Sequence, residues 1–525
     1  MSAVLFIFLF LFTSETFSAS AGPSLWLRRD LHKLEVLGFI GPRVTGVWPL
    51  PNRELQKRIE EGRASLSQCS QKNPGCSGTE ITAGKKFLDD IDNGIPPAVR
   101  PPPGWYLHPA ERVKLNSELS DRAVETALVN NGLGGLKSSL SSSPPETFSF
   151  PKRATWITEI STVASLGLSE TFAMILEPIA SLSLPQYENS SSSLSLSRGF
   201  VASSLGPVHL EFGRDYLIWG HSPTGGLILS ANAGPLDQLR IDVTRDAWPG
   251  LTTLVDDFEL SGFFARLEGD RDFPYALLMG YRPALRLKSF EMGLTHTLMM
   301  FGGGATKGKW YQHLAEYFCY QQPSDNFADH HFGIDLSWTI PSFHSMQIYS
   351  EGYWEDLGTE ALFSNFGARM SYLLGLYLPL LTDDGGKDLR FEWRFLSPLG
   401  YRNFARTSGY TYKERTLGAP LGPDSQQLSA TMGTTLVGRN RVEIELQYSR
   451  LSRDLYRNTN DFTVVSIQEV PKEVRWGATL GYSFFPMAPL NINLTGGIET
   501  ITNFESNEGQ HRMGYRISTQ AEWKL

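Results

Sequence analysis

The sequence of 525 residues has few of the features that mark soluble enzymes or nucleic-acid-binding proteins. It contains only three cysteines and no block of Lys or Arg, and its net charge is −8. This composition disfavours a small scaffold held by many disulfides, and it disfavours a nucleic-acid partner. Neither a Gly-x-Ser-x-Gly nor a His-Glu-x-x-His motif occurs, so the hydrolases that carry those motifs are not indicated.

Long hydrophobic runs are also missing. The single short run, residues 4–12, is followed by the small residues 18–22, which suit cleavage of a signal peptide at about residue 21. The alternative is an apolar N-terminus without a targeting role, because no Lys or Arg precedes the run. No later run is long enough to cross a bilayer as a helix.

The few cysteines predict little chemistry. Cys69 and Cys76 bracket a Lys-Asn-Pro-Gly turn and could form a disulfide in an oxidising compartment. No His lies near them, so the sequence predicts no metal site, and nothing in it predicts a cofactor. Cys319 has no obvious partner and is expected to pack among its aromatic neighbours.

Alternation of apolar and polar residues dominates residues 151–525. One segment places Leu389, Phe391, Trp393 and Phe395 on one face, with Arg390, Glu392 and Arg394 on the other. The last thirteen residues, 513–525, alternate in the same way to the end of the chain. This period of two predicts β-strands. A terminal strand with an aromatic residue near its end is typical of outer-membrane barrels, although a soluble sandwich could also end so.

Three further features favour a membrane barrel over a sandwich. Aromatic residues lie near the ends of the predicted strands, where a lipid interface would need them. Short connections alternate with long ones, such as residues 301–330, 397–427 and 452–472. The strands continue for roughly 375 residues, enough for about 16 to 18 strands of a barrel. We therefore predict an all-β transmembrane barrel of antiparallel strands, with charges such as Arg390, Glu392, Arg394, Glu443 and Glu445 pointing into its lumen.

Residues 22–136 differ, because their apolar residues recur at helical spacing. Helices are predicted at Leu27–Leu37, at 52–66, and from Pro109 past Leu119 to residues 130–132. A proline-rich extended stretch separates the second helix from the third. This segment is predicted to be a small α-helical periplasmic domain, and the Ser- and Pro-rich residues 137–150 its linker to the barrel.

Two blocks of sequence resemble the bacterial capsule assembly family named after Wzi. The first comprises residues 27–31, 37–40 and 47–50; the second comprises residues 210–214, 219–223, 226–230 and 231–235. The matching residues of the second block include Arg214, Trp219, Gly220, Pro223, Ser230 and Asn232. The chain departs from the family pattern at Ile218, at His221-Ser222 and at Ala231. We interpret the second block first as a structural turn folded into the barrel mouth, and second as a binding segment.

The resemblance implies an outer-membrane barrel of 18 antiparallel strands whose periplasmic mouth is plugged by a helical bundle. It implies a lectin-like, non-catalytic role that attaches capsular or exopolysaccharide to the cell surface. The expected partners are that polysaccharide, outer-membrane lipid, and the barrel assembly machinery through the C-terminal strand, with the protein as a monomer.

Sugar binding favours exposed aromatic faces and planar polar groups. The candidate residues on long loops are Trp310, Tyr311, Tyr353, Trp354, Arg402, Tyr410 and Arg457. The alternative for each aromatic residue is a place in the interfacial girdle or in loop packing. A porin-like channel for small solutes is the second function considered. An enzyme is the third, since His330 and His331 lie near acidic residues, but adjacent histidines on a strand point to opposite faces.

Overall fold

The structure, a computed structural model, describes residues 25–72, 84–88, 105–120, 155–318 and 327–525, except for 49, 51, 86, 170–171, 186–189, 224, 249, 252–253, 356–369, 383–384, 404–405, 437–439, 453, 459–463 and 488–489. Eighteen antiparallel strands form a closed barrel, which confirms the predicted fold class. The barrel strands β1 to β18 are Tyr106–Ser120, Thr155–Ser169, Phe172–Pro185, Ser191–Leu205, Val208–Asp215, Leu236–Thr244, Asp257–Arg266, Leu277–Leu287, Phe290–Met300, Ala328–Ile340, Met346–Glu355, Met370–Leu378, Lys387–Leu396, Ser425–Thr435, Arg441–Leu451, Glu473–Met487, Leu490–Thr502 and His511–Lys524.

The two ends of the barrel differ in the length of their connections. At the short-turn end, β4 meets β5 through residues 206–207, and β8 meets β9 through residues 288–289. At the long-loop end, residues 216–235, 301–327 and 397–424 join successive strands. The described residues before the barrel include the helices α1 (Leu25–Val36) and α2 (Asn52–Lys72), and α3 (Trp310–Tyr317) lies in a long loop. Among the described residues, no helix combines the length and apolar character needed to cross a bilayer.

The distribution of side chains is the reverse of that in a soluble protein. On β9, Leu294 faces outward and is 48% exposed, whereas Glu291 faces inward and is fully buried. The same inversion recurs around the barrel: Phe391 and Trp393 are exposed, and Glu392 between them is buried. Apolar outer faces and polar inner faces are what a barrel surrounded by hydrocarbon requires. This inversion decides between the membrane barrel and the sandwich, which alternation alone left open.

A charge on this outer face should be costly. We expect Leu294→Arg to lower the free energy of unfolding from lipid by about 2–4 kcal/mol, because the guanidinium would lie in hydrocarbon. Leu294→Ala, which keeps the face apolar, should cost much less. Reversible urea unfolding in vesicles would measure both. Equal losses for the two variants would mean that Leu294 does not face lipid.

The prediction of a third helix is wrong, because residues 106–120 form strand β1. This strand pairs with β18 and β2 and so closes the barrel, for example through Val113 opposite Trp523. Pro109, which was interpreted as a helix start, falls where the register with β2 shifts between His108 and Arg112. A proline lacks the N–H that a ladder needs, so it is tolerated at such an irregularity.

This correction moves the start of the barrel. The barrel begins at Tyr106, not at residue 151, and the described part of the N-terminal region contains α1, α2 and a few further helical residues at 84–88. The prediction for those two helices is confirmed, and α1 ends just before Gly38, whose φ of 77° suits a residue without a Cβ. The signal peptide (residues 1–21), the linker (137–150), Cys76 and Cys319, and the side chain of Cys69, lie outside the described part of the chain.

Candidate functional site

The short-turn end of the barrel is closed by residues 25–72, which we call the plug. Its two helices share a hydrophobic core that includes Leu34 of α1, Ile59 of α2, and Phe39 and Ile40 between them. Lys33 of α1 donates from its Nζ to Asp388 Oδ2 on β13, at 3.0 Å, and to the Gly385 carbonyl, at 2.9 Å. The plug is therefore a folded unit fastened to the inner wall by buried charge-assisted hydrogen bonds.

The extended residues between the plug helices are held by two carboxylates of the wall. Val44 N–H donates to Asp257 Oδ2, at 2.8 Å, and Thr45 N–H donates to Glu291 at 3.0 Å. Gly46 N–H also donates to Glu291, at 3.1 Å. A Cβ at Gly46 would approach Arg282 Nη2 to 2.2 Å, so any larger residue would have to displace this buried guanidinium. We call the set of hydrogen bonds on Glu291 the plug latch.

One ionisable group of the plug gives docking a pH dependence. Burial raises the pKa of Glu35 on α1 from its usual 4.5 to about 7, although Arg286, which donates to it at 2.6 Å, acts to lower the pKa. Because the docked plug favours the protonated form of Glu35, this group stabilises docking. The contribution is fully present below pH 4.5 and is lost as the pH rises through about 7.

We therefore expect hydrogen-exchange protection factors of α1 to fall between pH 5 and pH 7.5, by an amount equivalent to on the order of 2 kcal/mol. The Glu35→Gln variant has no carboxyl to titrate, so its protection should change far less over that range. Equal pH dependence in the two proteins would contradict the role of Glu35.

The long-loop end is entered by residues 216–235, which fold into the barrel and which we call the inward loop. Glu351 on β11 accepts hydrogen bonds from the N–H groups of His221, at 3.0 Å, and Leu227, at 2.8 Å. Gly220 has a φ of 112°, and a Cβ there would come within 2.3 Å of the Glu351 carboxylate. Glycine is required here by backbone conformation and by space together. We call the two hydrogen bonds on Glu351 the loop latch.

The plug and the inward loop meet inside the barrel. Val47–Trp48 of the plug pairs with Ile218–Trp219 of the inward loop as a two-stranded antiparallel ribbon. A cavity beside this junction, lined by His32, Tyr377 and Arg390 among others, has a volume of about 50 Å³. This is room for a few water molecules and not for a sugar. Structured segments thus occupy the lumen from both ends.

The residues of the second sequence block have structural contacts. Ser230 Oγ donates to the Gly418 carbonyl, at 2.6 Å, and the Asn232 amide donates to the Thr416 carbonyl, at 2.9 Å. Trp219 is buried in the main core cluster, and Pro223 lines the small cavity. Arg214, at the end of β5, instead pairs with Asp237 on the outer wall. These contacts support the interpretation of the second block as a structural turn folded into the barrel mouth. Its role in ligand binding stays a prediction.

The candidate sugar-binding residues do not form one site. Tyr353 and Tyr410 are fully buried: Tyr353 hydrogen-bonds His331 Nδ1 at 2.9 Å, and Tyr410 hydrogen-bonds Thr297 Oγ1 at 2.9 Å. Arg402 is buried as well. Tyr353 on β11 and the loop residues Arg402 and Tyr410 are therefore buried and not on the loop surface, and their role in ligand binding stays a prediction.

The other four candidates lie elsewhere. Trp310 and Tyr311 begin α3 and are 76% and 50% exposed. Trp354 lies on the outward face of β11, where its ring stacks against Phe332 with centroids 6.5 Å apart. Arg457 lies on the short strand Leu455–Asn458, and its side chain is outside the described part of the structure.

The residues that organise the lumen were only partly foreseen. The inward positions of Arg390, Glu392 and Arg394 were predicted, and Arg394 contacts the inward loop by donating to Ser222 Oγ at 2.7 Å. Glu291 and Glu351, which carry both latches, were not singled out. Their signal was present as acidic residues at inward positions of predicted strands, but the partners lie more than a hundred residues away.

Two buried groups combine histidine with carboxylates. His221 Nε2 lies 3.0 Å from Asp335 Oδ1, but the Arg282 guanidinium also binds Asp335, at 2.6 Å. His331 Nε2 lies 3.3 Å from Asp329 Oδ2. Both groups could place ligands around a cation. In the first group, however, Arg282 pairs with Asp335 and Arg286 pairs with Glu291, at 3.2 Å, so we assign the group as an ion-pair network that braces the inward loop. His330 faces outward and His331 faces inward, so the two adjacent histidines point to opposite faces of the strand, as predicted.

Comparison with known proteins gives the family. The family model described as Capsule assembly protein Wzi matches residues 153–514. The solved structure of Wzi from Escherichia coli, described as an outer membrane protein involved in group 1 capsule assembly and as a carbohydrate-binding β-barrel, has a TM-score of 0.65 and 14% identity, covering 95% of this chain and 98% of that one.

Other solved barrels are less similar. OprD of Pseudomonas aeruginosa has a TM-score of 0.43 at 10% identity, covering 80% of this chain and 95% of that one. OccD3 of the same organism has a TM-score of 0.44 at 10% identity, covering 80% and 92%. No protein of curated function matches the sequence significantly. With its apolar outer belt, its internal plug and a family match over most of the barrel, this chain is a bacterial outer-membrane β-barrel that belongs to the capsule assembly protein Wzi family.

Proposed function

We propose that this protein holds capsular or exopolysaccharide at the cell surface, as a lectin-like protein without catalytic activity. The observation that carries the proposal is that, in the described part of the chain, the plug and the inward loop enter the lumen from both ends and meet there, which leaves the outer surface as the place to hold polymer. Family membership and the carbohydrate-binding description of Wzi from Escherichia coli support the same role. In this proposal the short turns and the plug face the periplasm, the protein is a monomer, and its last strand engages the barrel assembly machinery.

A porin-like channel is the alternative. The buried hydrogen bonds of the two latches weigh against it, because a diffusion pore needs a continuous water-filled path. The long loop of residues 397–424 adds to the closure: Tyr401 donates from its hydroxyl to the Leu227 carbonyl of the inward loop, at 2.5 Å.

A small hairpin is the part of this outer surface that we propose as a contact for the polysaccharide. It pairs Thr411–Tyr412 with Arg415–Thr416, and its turn residues Lys413 and Glu414 have φ values of 50° and 63°. Non-glycine residues at both positions of such a turn are costly, and strain of this kind is concentrated at functional sites. Arg271 fixes the hairpin by donating to the Thr411 carbonyl at 2.9 Å.

Polysaccharide binding by the purified, detergent-solubilised protein tests the proposal. With polysaccharide from the same bacterium, we expect measurable affinity that weakens with salt, and a loss of about two- to fivefold in Lys413→Ala, the size of one charge contact at a protein surface. Lys57→Ala is the matched control, because Lys57 pairs with Asp246 on the exposed short-turn side. It should leave binding unchanged.

In cells, deletion of the gene should release polysaccharide into the medium while total synthesis stays near normal. Unchanged retention at the cell surface, together with no binding by the purified protein, would overturn the proposal. Equal losses in Lys413→Ala and Lys57→Ala would instead reject the hairpin as the contact.

A further inference from the structure

Helix α3 packs on the outer wall of the barrel and not over its mouth. On β10, His330 lies on the same outward face as Trp338, yet it is only 2% exposed because α3 covers it. Glu316 of α3 lies 2.6 Å from His330 Nε2, and His330 Nδ1 lies 3.0 Å from His296 Nε2 on the neighbouring strand. A chain of buried polar contacts thus holds the helix against a face that elsewhere on the barrel meets lipid.

Apolar contacts reinforce this packing. The outward residues Met279, Leu298 and Met300 form a buried cluster with Phe327, and Tyr317 of α3 packs against it. On the same side of the helix, His313 stacks on Phe327 with ring centroids 4.7 Å apart. The inner face of α3, formed by residues 313, 316 and 317, therefore packs against the barrel wall and Phe327.

The adjoining face of α3 is apolar, and no described residue covers it. Trp310, Leu314 and Phe318 recur at intervals of four and form one stripe, with Tyr311 beside it. Leu314 and Phe318 are 49% and 66% exposed. A helix with one face bound to protein and a Trp-, Leu- and Phe-bearing face exposed is the pattern of an element lying at a membrane interface.

The depth of α3 follows from the neighbouring strands. Just below the long-loop end, three adjacent strands change from charged to apolar on their outward faces: Arg214 to Phe212, Asp237 to Leu239, and Arg266 to Phe264. This change marks the boundary between headgroups and hydrocarbon. Tyr317 of α3 stacks on Phe264, the first apolar residue below that boundary, with centroids 5.8 Å apart and ring planes at 13°.

We infer that α3 is an interfacial anchor whose Trp310, Tyr311, Leu314 and Phe318 face contacts lipid of the outer leaflet. The occupant is lipid because the stripe continues the barrel's own hydrocarbon-facing surface at the same height. Lys309, whose Nζ lies 5.7 Å from the Tyr311 ring centroid, is placed to reach anionic headgroups above. Trp310 and Tyr311 are then membrane contacts, and the polysaccharide binds elsewhere on the outer surface.

Fluorescence quenching by brominated phosphatidylcholine vesicles tests this inference. Trp310→Phe should remove a fraction of the quenchable emission, and the lost fraction should be greatest for bromines near the headgroup. Trp393→Phe, on the lipid-facing surface of β13, is the positive control and should respond most to deep bromines. Trp219→Phe, inside the lumen, is the negative control and should leave the quenchable fraction unchanged.

A quenchable fraction in Trp310→Phe equal to that of the parent protein would overturn the inference. So would quenching at Trp310 that disappears as protein density in the vesicles rises, because a second copy would then cover the stripe. Trp310→Phe should retain polysaccharide affinity within about twofold. A large loss of affinity with unchanged lipid quenching would assign the stripe to sugar, and it would leave the proposed surface-retention role itself standing.

Discussion

The Glu291→Ala, Glu351→Ala double variant should form stable open channels in planar bilayers, whereas the parent protein should show none. Each carboxylate accepts at least two hydrogen bonds from the backbone of the segment that it holds. Hydrogen bonds to a buried charge contribute about 1.5–3 kcal/mol each, so either substitution should weaken its latch by about 3–5 kcal/mol. Because the plug and the inward loop fill the lumen from opposite ends, neither single variant should conduct steadily.

The conductance experiment needs a variant that alters lumen charge without touching a latch. Glu443→Ala serves, because Glu443 lines the lumen with a side chain 50% exposed and pairs with Arg441. It should stay as closed as the parent protein. If the double variant also stays closed, the latches do not hold the lumen shut. Steady conductance of the parent protein would favour the porin-like alternative.

Removing residues 106–120 should abolish folding of the barrel, whereas removing residues 25–72 should leave a folded barrel. Strand β1 pairs with both β2 and β18, so its loss would leave two unpaired edges in hydrocarbon. Each unsatisfied backbone group there costs several kcal/mol, and no open sheet edge persists in lipid. The plug lies inside the lumen, where water can replace its contacts with the wall.

Electrophoretic mobility before and after heating separates these outcomes, because folded barrels migrate differently from unfolded chains. The chain without residues 25–72 should keep the heat-dependent shift, with more protease-sensitive inner surface. The chain without residues 106–120 should show no shift. A heat-dependent shift in the second deletion would mean that β1 does not complete the barrel.

The interpretation of residues 106–120 as helix shows where sequence periodicity fails. Val113, Leu119, Val124 and Leu128 fit a helical spacing only if the segment continues past Ser120, where the strand ends. In a strand with a bulge, the alternation shifts by one residue, which blurs a period of two. Pro109 supported the wrong choice, since it suits the first turn of a helix as well as an irregular strand position.

The surroundings of the candidate sugar-binding residues were not predictable from the sequence, for a different reason. Aromatic residues in a long loop are equally suited to sugar, to lipid and to packing, and the sequence carries no sign of which one each meets. Tyr353 of β11 and Tyr401 of the loop 397–424 stack with ring centroids 5.0 Å apart, and both rings are buried. Trp310 is exposed, but it lies on α3, and the contact between Glu316 and His330 holds that helix against the outer wall of the barrel.

By itself, the sequence indicated most of the strands, the all-β barrel class and the family resemblance, but not strand β1. These follow from alternation along each strand and from motifs, which are local properties of the chain. Only the tertiary structure decided which face meets lipid, what fills the lumen, and where α3 lies. Those depend on barrel closure, which brings Glu291 to Thr45 and Glu351 to His221 across long stretches of sequence. No local pattern encodes a contact that exists only after the barrel has closed.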